Sequence, residues 1–361
     1  MPSPNPRVSV LMTTRNGART ISDSLQSILT QDMSDFELVV VDDASSDETP
    51  AVLSAIADPR LVLLRNDSRL GIAGARNRGL AQARAPYIAA LDHDDLSAPT
   101  RLGLQAAYLD NHPDTVLVAT AVSELRDGKL TPEDQPRQIS PALLRLLLHL
   151  DNPLAWSSVM LRADALRSLD PPLRPQFEPA DDFDLYHRLL GRGHIARLDP
   201  ELTTYRWHAS NATYATGANI ADGATRVLTR AYTPWFGADA PAAASLVVRH
   251  GHERNAVADA TTMARLRDVT CRVAVAWRHP TPPKPPKSPP ARAACCGALP
   301  APRSAPAAQP CSAYPHPRWT PPPRSSLAPA VFVSRSHGAR RSVSVGRAIF
   351  WERDPPSRRH Q

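Results

Sequence analysis

The chain has 361 residues, a formal net charge of +7 and a hydrophobic content of 42%, enough for a substantial core and two average domains. Those averages conceal a break along the sequence: residues 1–235 carry a net charge of −6 and residues 236–361 a net charge of +13. The basic balance belongs to the tail, and the front portion has no Arg/Lys stripe interleaved with aromatics, so nucleic-acid binding is not expected. Cys271, Cys295, Cys296 and Cys311 all lie in the tail, so the front portion needs no disulfide. The opening MPSPNPRVSVLMTT lacks the charged n-region and long apolar stretch of a signal peptide, and nothing approaches the ~18 apolar residues of a membrane span. A cytoplasmic protein is the expectation, with a peripheral contact at the inner face of a membrane left open.

In chain order, Val8 to Met12 reads as a buried strand, followed by a helix over about Ala18 to Thr30 with Ile21, Leu25, Ile28 and Leu29 on one face. Phe36 to Val41 is a second strand that runs into DDASSDET, where Asp47 can cap a helix carrying Val52, Leu53 and Ile56 inward. Leu61 to Leu64 is a third strand, Ile72 to Ala83 a third helix, and Tyr87 to Leu91 a fourth strand ending in DHDD. Such alternation predicts an α/β fold: three α/β/α layers, Rossmann-like, around a mostly parallel sheet.

Beyond Pro99 the pattern predicts a helix from Thr100 to Asn111, a strand from Thr115 to Thr120 and a variable stretch, SELRDGKLTPEDQPRQ. An apolar helix, Pro141 to Leu150, and a strand, Ser157 to Leu161, follow. An amphipathic helix starts near Ala180 in ADDFDLYHRLLGRG, and a strand pair, His194 to Leu198 and Leu202 to Trp207, closes a domain of residues 1–235. Residues 236–277 form a helical extension, with helices around Ala242 to Arg249 and Ala256 to Val273. Residues 278–361 are so rich in Pro, Ala and Arg that no helix or sheet ladder is expected there.

Ligands of open α/β sheets bind outside the carboxyl ends of the strands. Thr13 ends the first strand, Asp42 and Asp43 the second, and Asp92, Asp94 and Asp95 the fourth. One aspartate after a strand commonly caps a helix or starts a turn. Three strand ends bearing oxygen ligands suit a ligand arriving with a hard divalent cation, Mn²⁺ or Mg²⁺, as two phosphates with a bridging ion do.

The segments VSVLMTTRNGARTISDSLQSILTQ, FELVVVDDASSDET, GIAGARNRGLAQARAPYIAALDHDDLSAPTRL, ADDFDLYHRLLGRG and YRWHASNAT together resemble family 2 glycosyltransferases, enzymes of the GT-A fold, over about 200 residues. The resemblance implies an inverting transfer of a sugar from a nucleoside-diphosphate sugar to a hydroxyl of a saccharide, lipid-linked or protein acceptor, as in making cell-envelope polysaccharide. It implies Thr13 beside the nucleotide, Asp43 accepting from the base, Arg76 near the base or diphosphate and Asp94 at the ribose or sugar. An ionised carboxylate only accepts hydrogen bonds, which favours the N–H edge of uracil or thymine and hence UDP- or dTDP-sugars. Asp95 is the implied principal metal ligand, Asp92 its less certain neighbour, and His208 a further ligand. Asp182, after Asp181, is the implied general base.

Each assignment has a plainer competitor. Arg76 could form a surface ion pair, Asp181 and Asp182 could serve only the helix dipole, and His208 could be a lone surface histidine; His93 and His187 read as incidental. Arg15 departs from the family, which often has an aromatic there, and the sequence offers no hydrophobic helices of a processive synthase. The main alternative is a non-catalytic sugar-nucleotide-binding or scaffold protein. A nucleotidyltransferase or Rossmann dehydrogenase would need a Gly-rich phosphate loop that TTRNGART does not supply.

Overall fold

A computed structural model describes residues 5–133, 135–136, 138–208, 211 and 217–278. Strands β1 (Val8–Thr14) and β2 (Phe36–Asp42) are buried almost throughout rather than on alternate residues, as parallel strands covered on both faces must be. With β3 (Leu61–Arg65) and β4 (Tyr87–Ala90) they form a parallel block in the order β3-β2-β1-β4. Helices α1 (Ile21–Leu29), α2 (Thr49–Ser54) and α3 (Ile72–Gln82) make the crossovers. Val8, Val10 and Met12 join one apolar cluster with Ile21 and Leu25, while Leu11 joins another with Ala73. That period of two puts a helical layer on each face of the sheet.

The sheet continues through shorter and longer strands. β5 (Leu96–Ser97) precedes α4 (Arg101–Asn111), β6 (Thr115–Arg126), β7 (Lys129–Pro132), α5 (Pro141–Leu147), β8 (Met160–Arg162), α6 (Ala163–Arg167), α7 (Asp181–Leu189) and β9 (His194–Arg206). Beyond β4 the order is β8-β6-β9-β5, with β8 antiparallel to both neighbours and β6 parallel to β9. The expected pair 194–198 and 202–207 is corrected by the structure: both segments belong to β9 and pair with β6. Irregularities in register around Thr120 and Ala121 absorb the extra residues at Asp199–Pro200 instead of turning the chain.

The variable stretch holds a hairpin, β6 to β7, whose turn is Asp127–Gly128 with both φ angles positive. An Asp-Gly pair between apolar runs is a turn signal, and here it marks the hairpin. After the expected domain end come α8 (Gly217–Phe236), α9 (Ala240–Val247), a single π-helical turn Val248–His252 and α10 (Ala260–Arg278). Val227, Leu228, Tyr232, Val247, Val248, Leu266 and Val273 share one cluster with Leu144, Phe183 and Leu189. A boundary at 235 would cut through this core. Among the described residues no helix is long and apolar enough to cross a membrane; the proline-rich tail lies outside them.

Candidate active site

Thr13, Thr14, Asp43, Arg76, the Asp92–Asp95 turn, Asp181, Asp182 and His208 all line one cleft of about 690 Å³ at the carboxyl edge of the sheet. The backbone there is drawn tight: Asp43 N–H donates to Thr14 O at 2.8 Å, closing the ends of β1 and β2 together. Thr14 Oγ1 is buried with no hydrogen-bond partner. Asp43 is 4% exposed. Its Oδ1 accepts from Asn66 Nδ2 at 2.6 Å and Leu70 N at 2.7 Å, and its Oδ2 from Gly71 N at 3.0 Å. Three of roughly four acceptor positions are therefore occupied from within, leaving one, on Oδ2, for a ligand.

The aspartate turn is anchored from several sides. Arg101, fully buried, donates to Ala90 O at 2.8 Å and Val159 O at 3.2 Å, fixing the end of β4. Asp92 N donates to Ser157 Oγ at 3.0 Å, and Asp95 Oδ1 accepts from Arg206 N at 3.0 Å. Asp95 Oδ2 is buried and unpartnered. Burial, reinforced by the charges of Asp94 and Asp92, pushes the Asp95 carboxyl well above the usual carboxylate range. Asp94 Oδ2 accepts from His208 Nε2 at 2.9 Å and from Asn211 Nδ2 at 3.4 Å. His208 is thus tied to the aspartate turn rather than isolated at the surface. His93 packs its ring on Gly17, where an added Cβ would lie 2.3 Å from His93 Cδ2; that close approach is why Gly17 suits the position.

On the opposite wall α7 begins with Asp181 and Asp182, and their surroundings differ. Asp181 is 1% exposed and accepts from Arg76 Nη1 at 3.0 Å. The same guanidinium reaches Asp92 Oδ1 at 3.2 Å and lies 4.3 Å from the Trp156 ring centroid. Arg76 is therefore a buried link between the two walls, not a surface ion pair. Burial alone would lower its pKa, but Asp181, Asp92 and Asp182 more than offset that, so it stays protonated. Asp182 accepts from Phe183 N at 2.6 Å on Oδ1 and from Asn152 Nδ2 at 3.2 Å on Oδ2. Burial and the neighbouring Asp181 charge, only partly opposed by Arg76, push its carboxyl up to about 7. A carboxylate poised there can take a proton near neutral pH.

Several lining residues carried no sequence signal. Asn152 and Trp156 come from the loop after α5, and His252 from the π-helical turn far along the chain. Acids crowd the cleft: Asp151, Glu124 and Glu133 join the six aspartates already named, against Arg15, Arg69 and Arg76. Among the described residues no three His, Cys, Asp or Glu side chains converge as a complete metal-binding set.

Residues 9–169 match the model of glycosyl transferase family 2. The matched segment is less than half of the chain. The chain is 33% identical over 168 residues to the putative glycosyltransferase EpsE of Bacillus subtilis, covering 45% of this chain and 59% of EpsE. It is 40% identical over 102 residues to the Escherichia coli glucosyltransferase WfgD, covering 28% of this chain and 40% of WfgD. The chain thus spans less than two thirds of these relatives. In fold it is similar to S. aureus TarS 1–349 in complex with UDP-GlcNAc, with a TM-score of 0.52 at 17% identity over 76% of this chain and 92% of that one. It is likewise similar to the mannosyltransferase PcManGT of Pyrobaculum calidifontis, with a TM-score of 0.50 at 20% identity over 77% and 89%. The domain therefore has the GT-A fold.

Proposed function

We propose that the protein is an inverting glycosyltransferase that moves a sugar from a UDP- or dTDP-sugar to an acceptor hydroxyl, with Asp182 as general base. The observation that carries this reading is the pair of unlike carboxylate groups in one cleft: Asp182, with its pKa pushed up to about 7, and the aspartate turn across from it. WfgD is named for the transfer of glucose from UDP-Glc to a diphosphoundecaprenol-linked acceptor. That supports a UDP-sugar donor and a lipid-linked acceptor, such as a cytoplasmic enzyme would meet at the inner face of a membrane.

The residues present fit a divalent cation. A nucleoside diphosphate is an anion, and a cleft this acidic would repel it without a compensating charge. Asp95 Oδ2, buried without a partner, is an oxygen suited to Mg²⁺ or Mn²⁺, with Asp94, Asp92 and His208 beside it. PcManGT, alike in fold, was solved with GDP-Man and Mn²⁺. Such an ion, when bound, supplies Lewis-acid stabilisation to the departing diphosphate. The chain's own side chains do the rest. Thr13 and Asp94 flank the nucleotide and its ribose, Asp43 Oδ2 accepts the base N–H, and Asp182 removes the proton of the acceptor hydroxyl. Arg76 lies between Asp181 and Asp92, bonded to both. A protein that only bound the nucleotide would have no use for a base poised near neutrality.

A thermal-shift panel tests this reading. UDP with Mn²⁺ should stabilise the chain more than UDP alone and more than CDP with Mn²⁺, because cytosine has no proton where Asp43 accepts. Asp95→Ala should abolish the increment due to Mn²⁺ while leaving the nucleotide-free melting temperature within a few degrees. Equal shifts with UDP and CDP would overturn the base assignment, and an Asp95→Ala protein that still responds to Mn²⁺ would remove Asp95 from the metal site.

A further inference from the structure

The loop Asp151–Ala155 forms the wall of the cleft next to Asp182, and its hydrogen bonds lead away to the C-terminal helices. Asn152 Nδ2 donates to Asp182 Oδ2 at 3.2 Å, while Asn152 Oδ1 accepts from Leu154 N at 3.4 Å. The second bond fixes which end of the amide faces the carboxylate. The backbone N–H of Asn152 donates to Asp151 Oδ1 at 2.8 Å, and the same oxygen takes His252 Nδ1 at 2.8 Å. His252 ends the π-helical turn that continues α9, more than ninety residues further along the chain. Two more bonds hold the approach to this loop. Tyr232 of α8 donates to His149 O at 2.5 Å, and His187 Nε2 of α7 donates to Leu148 O at 2.8 Å. Burial, helped by His149, pushes His187 down to about 3, so it is neutral.

We infer that Asn152 is a positioning residue for Asp182, held in place by the Asp151–His252 pair, so that the C-terminal helices are part of the catalytic apparatus rather than an appendage. The inference rests on the reading of Asp182 as the base. A donor on an ionised carboxylate favours its charged form, so Asn152 opposes the burial and the Asp181 charge that hold Asp182 protonated. It also orients the carboxyl plane, leaving each oxygen with lone-pair capacity for the acceptor. The other titratable groups facing Asp182 are Arg76, Asp181 and Tyr186; those facing His252 are Asp151, Glu253 and Arg254. The Asp151 and His252 side chains are each about a third exposed (35% and 31%), so their pairing acts by geometry more than by energy.

The test follows the Asp182 carboxyl directly, in the full chain labelled with [4-¹³C]aspartate, its resonance assigned by its loss in Asp182→Asn. The wild type should titrate near 7. Asn152→Ala should raise the midpoint by about one pH unit, the size of a charge-assisted hydrogen bond, and Asn152→Asp should raise it further by adding a like charge. His252→Gln should move it in the same direction by less, with UDP binding unchanged in all three. An unmoved midpoint in both Asn152 variants would overturn the inference, and an unmoved midpoint in His252→Gln would overturn the part assigned to the C-terminal helices. Release of UDP from UDP-glucose separates this from the wider reading. If Asp182→Asn retains wild-type release, the base assignment falls and the positioning role with it. If Asp182→Asn is inactive while the Asn152 midpoint stays put, only the present inference falls.

Discussion

Asp181 and Asp182 are adjacent in the chain, yet α7 delivers one to a guanidinium and the other to the cleft. Asp181 is neutralised by Arg76 at 3.0 Å and so is committed to structure. Asp182 keeps only an amide and a backbone N–H as donors, beside the Asp181 charge, and its carboxyl rises to about 7. In the proposed role of base it works only when deprotonated, so kcat should climb as pH rises through about 7 and level off above. Asp182→Asn cannot accept the proton: it should lower kcat by about 10³, within the roughly 10²–10⁴ that general-base catalysis contributes, and leave the Kd for UDP within about twofold. Rates of UDP release against pH, with calorimetric UDP binding, check both halves. Simultaneous loss of binding and turnover would show that the mutation had damaged the donor site.

At the level of elements, one substitution separates two uses of glycine. Gly128 sits at φ +75 in the β6–β7 turn with nothing within 4 Å of an added Cβ, so Gly128→Ala pays only for the left-handed backbone, about 1 kcal/mol. Gly79 lets α3 lie against β1 and β2; its added Cβ would fall 2.3 Å from Leu11 Cδ1 and 3.0 Å from Val41 Cγ2. Gly79→Ala must displace α3 or the Leu11 side chain beneath it, at a cost of about 1–3 kcal/mol, and α3 carries Arg76. Denaturant unfolding should show both losses, while UDP affinity should fall only in Gly79→Ala. The first four strands and their helices were legible because each is a local apolar pattern, and the aspartates were legible because they close those strands. The β6–β7 hairpin was signalled by Asp127–Gly128 but obscured by the polar residues around it. The single strand β9 was not legible, since the continuity across Asp199–Pro200 comes from pairing with β6, a partner some eighty residues away. Asn152 and His252 were hidden for the same reason: an isolated Asn or His acquires its role only from distant contacts.

Across the whole molecule, the composition changes near residue 278, and described residues beyond 235 still contribute to the core cluster. A chain ending at residue 235 would lose Val247, Val248, Leu266, Val269 and Val273, all buried in the cluster that backs α5 and α7. At roughly 1.5–3 kcal/mol for each buried side chain, an upper estimate of about 7–15 kcal/mol is at stake, comparable to the entire stability of a typical domain. A chain ending at residue 278 removes none of these contacts. Truncation at 278 should therefore melt within a few degrees of the full chain and bind UDP equally well, whereas truncation at 235 should yield no cooperative transition in calorimetry. A cooperative, UDP-binding protein from the shorter chain would mean that the C-terminal helices are dispensable and that the core closes without them.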